Sequence, residues 1–346
     1  MSAPRESALA VWALRLLLDD GAPPPPPPPS ELVPWGALAT LAERNGVLIR
    51  LAQRFERLGI KPAAVFYGAV AREAERVAAT IELIRQVGEA CARHDIDFIF
   101  PKALQHYPDM GADVDLLVLS RSADVDRVIL QHLPAEARGR DLRSRMAHAT
   151  VYRVAGCPSL LDIHHGRLGV LGEYTALPAL LVKNRQPARV DGLHGFVPSL
   201  EDQILLQGLE RVSGRRSLRL ADVAFTVHAL RLALDWDYIL GTTRELGGLH
   251  PLSCYLSYVD QAYERCFGSG LLPPELRREL ILDGWGRVEF GSGRLQFPAL
   301  RANARIYLHE LDTMIAARNW ASAGRLLLLP LVAATAGWAR VEARMQ

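Results

Sequence analysis

Two aspartates, Asp113 and Asp115, stand two residues apart at the head of the apolar run Leu116-Leu117-Val118-Leu119. In an extended strand, residues i and i+2 project to one face, so both carboxylates reach the same side of one strand end. Carboxylates this close repel one another unless one is protonated or a cation lies between them, and hard oxygen ligands of this kind suit Mg²⁺ or Mn²⁺. A third acid, Asp162, is set inside Leu160-Leu161-Asp162-Ile163-His164, where an ionised group in an apolar strand needs a partner. Three acids on neighbouring strands would make a two-metal site. His164 and His165 follow the third acid as auxiliary candidates, and His164 shares its strand face; a structural role is the simpler alternative for either. Lys102, just beyond another apolar run, could reach a phosphate as a point charge or merely mark the surface. The plainer reading of the acids is a D-x-D met by chance, with Asp113 ending the loop after Gly111 and Asp162 paired to an arginine.

The elements that must position these residues follow from periodicity. Ile96–Phe100, Val114–Leu119, Thr150–Val154 and Leu160–His164 read as strands, with Gly156-Cys157-Pro158-Ser159 as a hairpin turn between the last two. A helix capped by Ser122, with Asp124 and Asp126 in its first turn, links the second strand to the third. That order predicts a small mixed sheet with helices on one side. Before it, two helices are expected between Ser30 and Gly59. A long one then carries Val70, Ala74, Val77, Ile81, Ile84, Val87 and Cys91 on one face and runs to about His94. After the sheet, Ser199-Leu200-Glu201-Asp202 reads as a capping-box start, with Ile204, Leu205, Leu209 and Val212 as the buried face. Helices dominate the remainder, with Arg287–Phe297 as a hairpin or loop excursion.

The fold class expected is therefore α+β. An N-terminal helical region (1–94) holds the proline run 23–29, an α/β core spans 95–197, and a C-terminal helical domain spans 198–346. Seven consecutive prolines form an extended rod of about 22 Å at about 3.1 Å per residue, a stiff spacer between a first helix and the body. A docking site for an aromatic-grooved module is the alternative.

Composition limits the function classes. The chain has 346 residues, 49% hydrophobic and 23% charged, with 40 Lys+Arg against 38 Asp+Glu. That is the profile of a globular protein of about two domains' length. A net charge of +2 argues against a protein whose affinity rests on neutralising many nucleic-acid phosphates. The four cysteines show no C-x-x-C spacing and read as reduced, mostly buried thiols. The N-terminal apolar stretch is broken by Arg15 and followed by Asp19-Asp20, unlike a secretion signal, and Leu326–Ala339 falls short of the roughly 20 residues a bilayer span needs. A cytoplasmic location without a membrane span is expected.

Taken together, Val33-Pro34-Trp35, Leu41–Val47, Phe100-Pro101-Lys102-Ala103-Leu104, Tyr107-Pro108-Asp109, Asp113–Val118, Leu161–His165, Pro198–Leu205 and Leu220-Ala221-Asp222 form an ordered series. In order and spacing, that series resembles the uncharacterised bacterial nucleotidyltransferase family of the polymerase-beta-like superfamily. The resemblance covers Trp35 to about Leu230. It implies a nucleotidyltransferase core with helical flanks, in which Asp113, Asp115 and Asp162 bind Mg²⁺ (or Mn²⁺) and carry catalysis. Lys102 and Ala103 would meet the phosphates of ATP or another nucleoside triphosphate, and Arg215, Arg216 and Arg219 are candidates for the triphosphate, with solvated helix-end charges as the alternative. The reaction implied is transfer of a nucleotide to a hydroxyl of a small molecule, peptide or protein. The competing expectation is a catalytically inactive binding module that holds a peptide or protein partner in the same cleft; a transferase acting on RNA is disfavoured by the lack of a basic cluster. Three departures stand out. The family's Lys-Gly is Lys102-Ala103 here, its arginine before the acidic pair is missing, and its helical histidine gives way to Gly208, Leu209 or Glu210.

Overall fold

The computed structural model describes residues 3–18, 34–139, 142–190, 192–213, 216–291 and 293–328. The proline run, Arg215 and most of Leu326–Ala339 lie outside the described residues.

Four helices come first: α1 (Ala3–Leu18), α2 (Trp35–Asn45), α3 (Leu48–Arg57) and α4 (Ala64–Arg93). The mixed segment follows, with β1 (Phe98–Ile99), β2 (Asp113–Val118), α5 (Ser122–His132), β3 (Ala135–Ala137), α6 (Leu142–Met146), β4 (Ala149–Val154), β5 (Leu160–His165), α7 (Leu177–Lys183), β6 (Gln186–Pro187) and β7 (Phe196–Val197). The chain continues through α8 (Leu200–Arg211), β8 (Ser217–Leu218), α9 (Leu220–Leu230), α10 (Trp236–Glu245), α11 (Leu249–Phe267), α12 (Pro274–Glu279), β9 (Glu289–Gly291), β10 (Arg294–Gln296) and α13 (Ala299–Ala316). The α+β class read from the sequence is what the chain adopts.

The main sheet has strand order β1-β2-β5-β4-β3. Its central pair, β2 and β5, is parallel, and β1, β4 and β3 pair antiparallel at the flanks. Alternation along β2 sends Val114, Leu116 and Val118 to one face, where they join Leu161 and Ile163 against Val77, Ile84 and Val87 of α4 and Val125 and Ile129 of α5. Leu117 points the other way and packs with Ile99 against Leu177 and Leu181 of α7 and Leu206 and Leu209 of α8. Helices thus cover both faces, not one, because the apolar residues of β1 and β2 on the second face need burial as well. Close approach is required on α4, where a Cβ at Gly88 would lie 2.2 Å from the His194 carbonyl oxygen.

The strand short of a sequence signal is β3, three residues at the sheet edge. The helix α5 begins at Ser122 with Arg121 as N-cap and no side-chain cap, so Ser122 is its first residue rather than its cap. Ser199, by contrast, caps α8 by accepting from the Asp202 amide at 3.1 Å. The expected hairpin near Arg287–Phe297 is β9–β10, extended by β8. Helix α1 does not stand apart from the body. Leu9, Ala13, Leu14 and Leu16 are buried in one core with α2, α3, α9 and α11, and α1 also lies along β9. The sixteen-residue apolar helix has no other way to remove that surface from water.

Candidate active site

The register of the parallel pair sets Asp115 directly opposite Asp162 and Leu117 opposite His164. Asp115, Asp162 and His164 therefore share the sheet face covered by α7 and α8. One ligand atom from each lies within 4.8 Å of the others. His164 Nε2 is 3.3 Å from Asp115 Oδ1 and 3.8 Å from Asp162 Oδ2. Asp113 stands at the exposed end of β2 on the same face, outside that closest trio but coupled to it by charge.

The loop between β1 and β2 delivers Lys102 to the cluster. Its Nζ lies 3.3 Å from Asp115 Oδ1 and donates to Glu210 Oε2 at 2.7 Å. The loop is pinned from two sides. Asp109, fully buried, accepts from the amides of Ile49 (2.7 Å) and Arg50 (3.2 Å) and from Arg50 Nε (2.9 Å). It thereby caps α3 from elsewhere in the chain, because the N-cap residue Val47 offers no acceptor. On the other side, Arg76 of α4 donates to the carbonyls of Met110 (2.6 Å) and Gly111 (2.7 Å), fixing the approach to Asp113.

The electrostatics follow from this crowding. Burial raises the Asp115 carboxyl, but Lys102 and the His164 hydrogen bond outweigh it and hold the group well below the usual carboxylate range. Asp113 is raised, by burial first and then by repulsion from Asp115 and Asp162. Burial pulls Lys102 down, yet Asp115 and Glu210 bring it above its ordinary value. His164 is likewise raised, with burial opposed and exceeded by the Asp115 hydrogen bond and the charges of Asp162 and Asp115.

A second buried cluster supports the first. Asp222 at the head of α9 faces Arg211 Nε at 3.1 Å, Arg219 Nη2 at 3.2 Å and His106 Nε2 at 3.1 Å. Burial is outweighed by the two arginines, so Asp222 is held well below the carboxylate range. His106 is pushed down to about 4 by burial, against the Asp222 hydrogen bond. A neutral His106 then donates to Asp222, tying the Lys102 loop to α9.

Not every sequence candidate comes to the cluster. His165 points to the opposite face, is 8% exposed, and meets Thr150 Oγ1 at 3.3 Å and Asp126 Oδ1 at 3.9 Å. The two-residue strand period separates it from His164. Ala103 is buried in the apolar cluster beneath the loop. Arg219 closes the first turn of α9 through Asp222, and Arg216 is exposed with its carbonyl accepting from Phe297. Glu210, Arg211 and His106 had not been singled out as site residues. Glu210 falls four residues after the buried Leu206, so helical spacing was the available signal for a charge on the sheet-facing side of α8.

Two carboxylates and an imidazole on a parallel strand pair, with a lysine alongside, define a candidate metal-dependent site in an α+β protein. Residues 31–264, about two thirds of the chain, match a family described as uncharacterised nucleotidyltransferase, and the chain belongs to that family. No curated protein matches it. Among the described residues, no helix is long and apolar enough to cross a membrane.

Proposed function

We propose that this nucleotidyltransferase moves a nucleotide from ATP or another nucleoside triphosphate to a hydroxyl on a small molecule, peptide or protein, with Mg²⁺ or Mn²⁺ as the metal. The observation that carries the reading is the convergence of Asp115, Asp162 and His164 within 4.8 Å, with Lys102 alongside. The donor set fits such an ion: two carboxylates brought opposite each other by strand register favour a hard cation, and the imidazole suits Mn²⁺ better than Mg²⁺. Asp115, Asp162 and His164 would hold the ion, with Asp113 at the mouth available to the triphosphate's own metal. A bound ion supplies charge neutralisation and a more acidic acceptor hydroxyl.

The chain's own groups do the rest. Lys102 is a point charge tethered to Glu210, and it neutralises phosphate charge as the α-phosphorus is attacked in line and pyrophosphate departs. Arg211, lowered by burial but raised above its ordinary value by the charges of Asp222 and Glu210 and, more weakly, of Asp115, adds positive potential behind Lys102. Residues 95–197 form the catalytic segment in this reading, and 1–94 and 198–346 complete the cleft; the protein acts in the cytoplasm.

The test is a mass-spectrometric screen for nucleotide-sized additions to candidate acceptors, with Mn²⁺ and each nucleoside triphosphate. Additions formed by the wild type and absent in Asp113→Asn/Asp115→Asn support the reading. Metal-dependent triphosphate binding that persists unchanged in that double variant counts against it.

A further inference from the structure

The two longest elements on the α4 face of the sheet end at one spot. His94 is the C-cap of α4, and His132 is the last residue of α5, the helix packed beside it. Their Nε2 atoms lie 2.8 Å apart, with ring centroids 5.0 Å apart and ring planes inclined by 57°. Both side chains are exposed. Two neutral imidazoles at this distance share one proton: one Nε2–H donates and the other ring's lone pair accepts.

We propose that His94 and His132 form a two-histidine site for a zinc-class divalent transition-metal ion, which clips the C-terminal ends of α4 and α5 together. Imidazole nitrogen is a preferred donor for zinc, copper and nickel, and a poor one for Mg²⁺. Bonds of about 2.0–2.1 Å at a tetrahedral centre set two ligand nitrogens about 3.3 Å apart, roughly half an ångström more than the separation observed. Exposed rings supply that by a small rotation, and water completes the coordination. The step is coordination alone: the donating ring moves its proton from Nε2 to Nδ1, so both Nε2 lone pairs meet the ion and no net proton is released. The ion also sits where two helix dipoles present their negative ends, each favouring a cation. Arg93, the neighbouring cation, is drawn back along α4 by Glu89 at 3.0 Å.

This site differs in kind from the carboxylate cluster, and the difference makes it testable. The experiment titrates Zn²⁺ into the full chain by calorimetry with Mg²⁺ in large excess, and follows amide hydrogen exchange in the last turns of α4 and α5. One zinc per chain is expected beyond any held by the Asp115, Asp162 and His164 cluster, weakened at least tenfold in His94→Ala and in His132→Ala but not in His164→Ala, with exchange in both last turns slowed by zinc in the wild type and in His164→Ala but not in the other two variants. Both substituted side chains are exposed, so the variants retain the fold, which unchanged melting without zinc confirms. Zinc affinity unaltered by His94→Ala and His132→Ala, or binding abolished by His164→Ala alone, overturns the proposal.

Discussion

The Lys102 ammonium donates to the Glu210 carboxylate at 2.7 Å while standing 3.3 Å from Asp115, so one cation joins helix α8 to the strand that carries the acidic pair. Lys102 is therefore the counter-ion of the very carboxylate a metal would use. Removing it in Lys102→Met frees Asp115, and Mn²⁺ affinity measured by calorimetry is expected to rise about tenfold, equivalent to about 1.4 kcal/mol. Triphosphate affinity should fall in the same variant, and Glu210→Gln should weaken Mn²⁺ binding by leaving Lys102 more firmly on Asp115. Equal Mn²⁺ affinity in all three proteins would show that the ammonium does not compete.

Asp109 stabilises the loop that presents Lys102. With Asp109→Ala, two amides of α3 and the Arg50 guanidinium lose their shared acceptor, and the cost expected is about 2–4 kcal/mol from the lost cap and the broken buried ion pair. Urea unfolding reads this directly. A loss below about 0.5 kcal/mol, typical of a surface site, would contradict the anchoring role.

Gly208 is one of the three positions, with Leu209 and Glu210, that the resemblance sets against a histidine, and the packing explains its size. A Cβ there would stand 2.7 Å from Leu252 Cδ1 and 3.0 Å from Leu252 Cα, so α8 and α11 touch nearly backbone to backbone. Gly208→Ala should cost about 1–3 kcal/mol and shift Glu210 and Arg211, lowering activity more than substrate binding. Thermal melting and steady-state kinetics measured together separate the two effects.

Stability should also fall with rising pH because of a buried acid on α13. Glu310 on α13 accepts a hydrogen bond from Tyr174, and burial pushes its carboxyl up to about 8 from an ordinary 4.5. The folded state holds the proton where the unfolded chain has lost it, so the contribution is fully present below 4.5 and is lost as pH rises through about 8. The difference amounts to at most about 5 kcal/mol at about 1.4 kcal/mol per pH unit. Denaturation curves at pH 5, 6, 7 and 8 should show this slope in the wild type and not in Glu310→Gln, which keeps an acceptor for Tyr174 (about 2 kcal/mol being the least that supports it).

Much of the site was legible because strand alternation is a local signal. The runs around Asp113–Val118 and Leu160–His165 place their acids on one face, and the same rule separates His164 from His165. What the sequence could not display is pairing over distance. Lys102 meets Glu210 across a separation of 108 residues, and His106 meets Asp222 across 116, so neither contact leaves a periodic trace. The place of α1 was hidden for the same reason. Its apolar face was plain, but its partners α9 and α11 lie more than 200 residues onward. The edge strand β3 lacked the length that makes alternation recognisable.

The parallel register that sets Asp115 against Asp162 has a consequence in time as well as in space. Parallel neighbours cannot be joined by a tight turn, and here the connection contains α5, β3, α6 and β4 before β5 is reached. The half-site on β2 leaves the ribosome before its partner strand β5 and stays incomplete until residue 165 has emerged and the crossover has folded. The proposed metal site is thus completed late and all at once, and a nascent chain stopped before Leu160 carries the aspartate pair without the cluster.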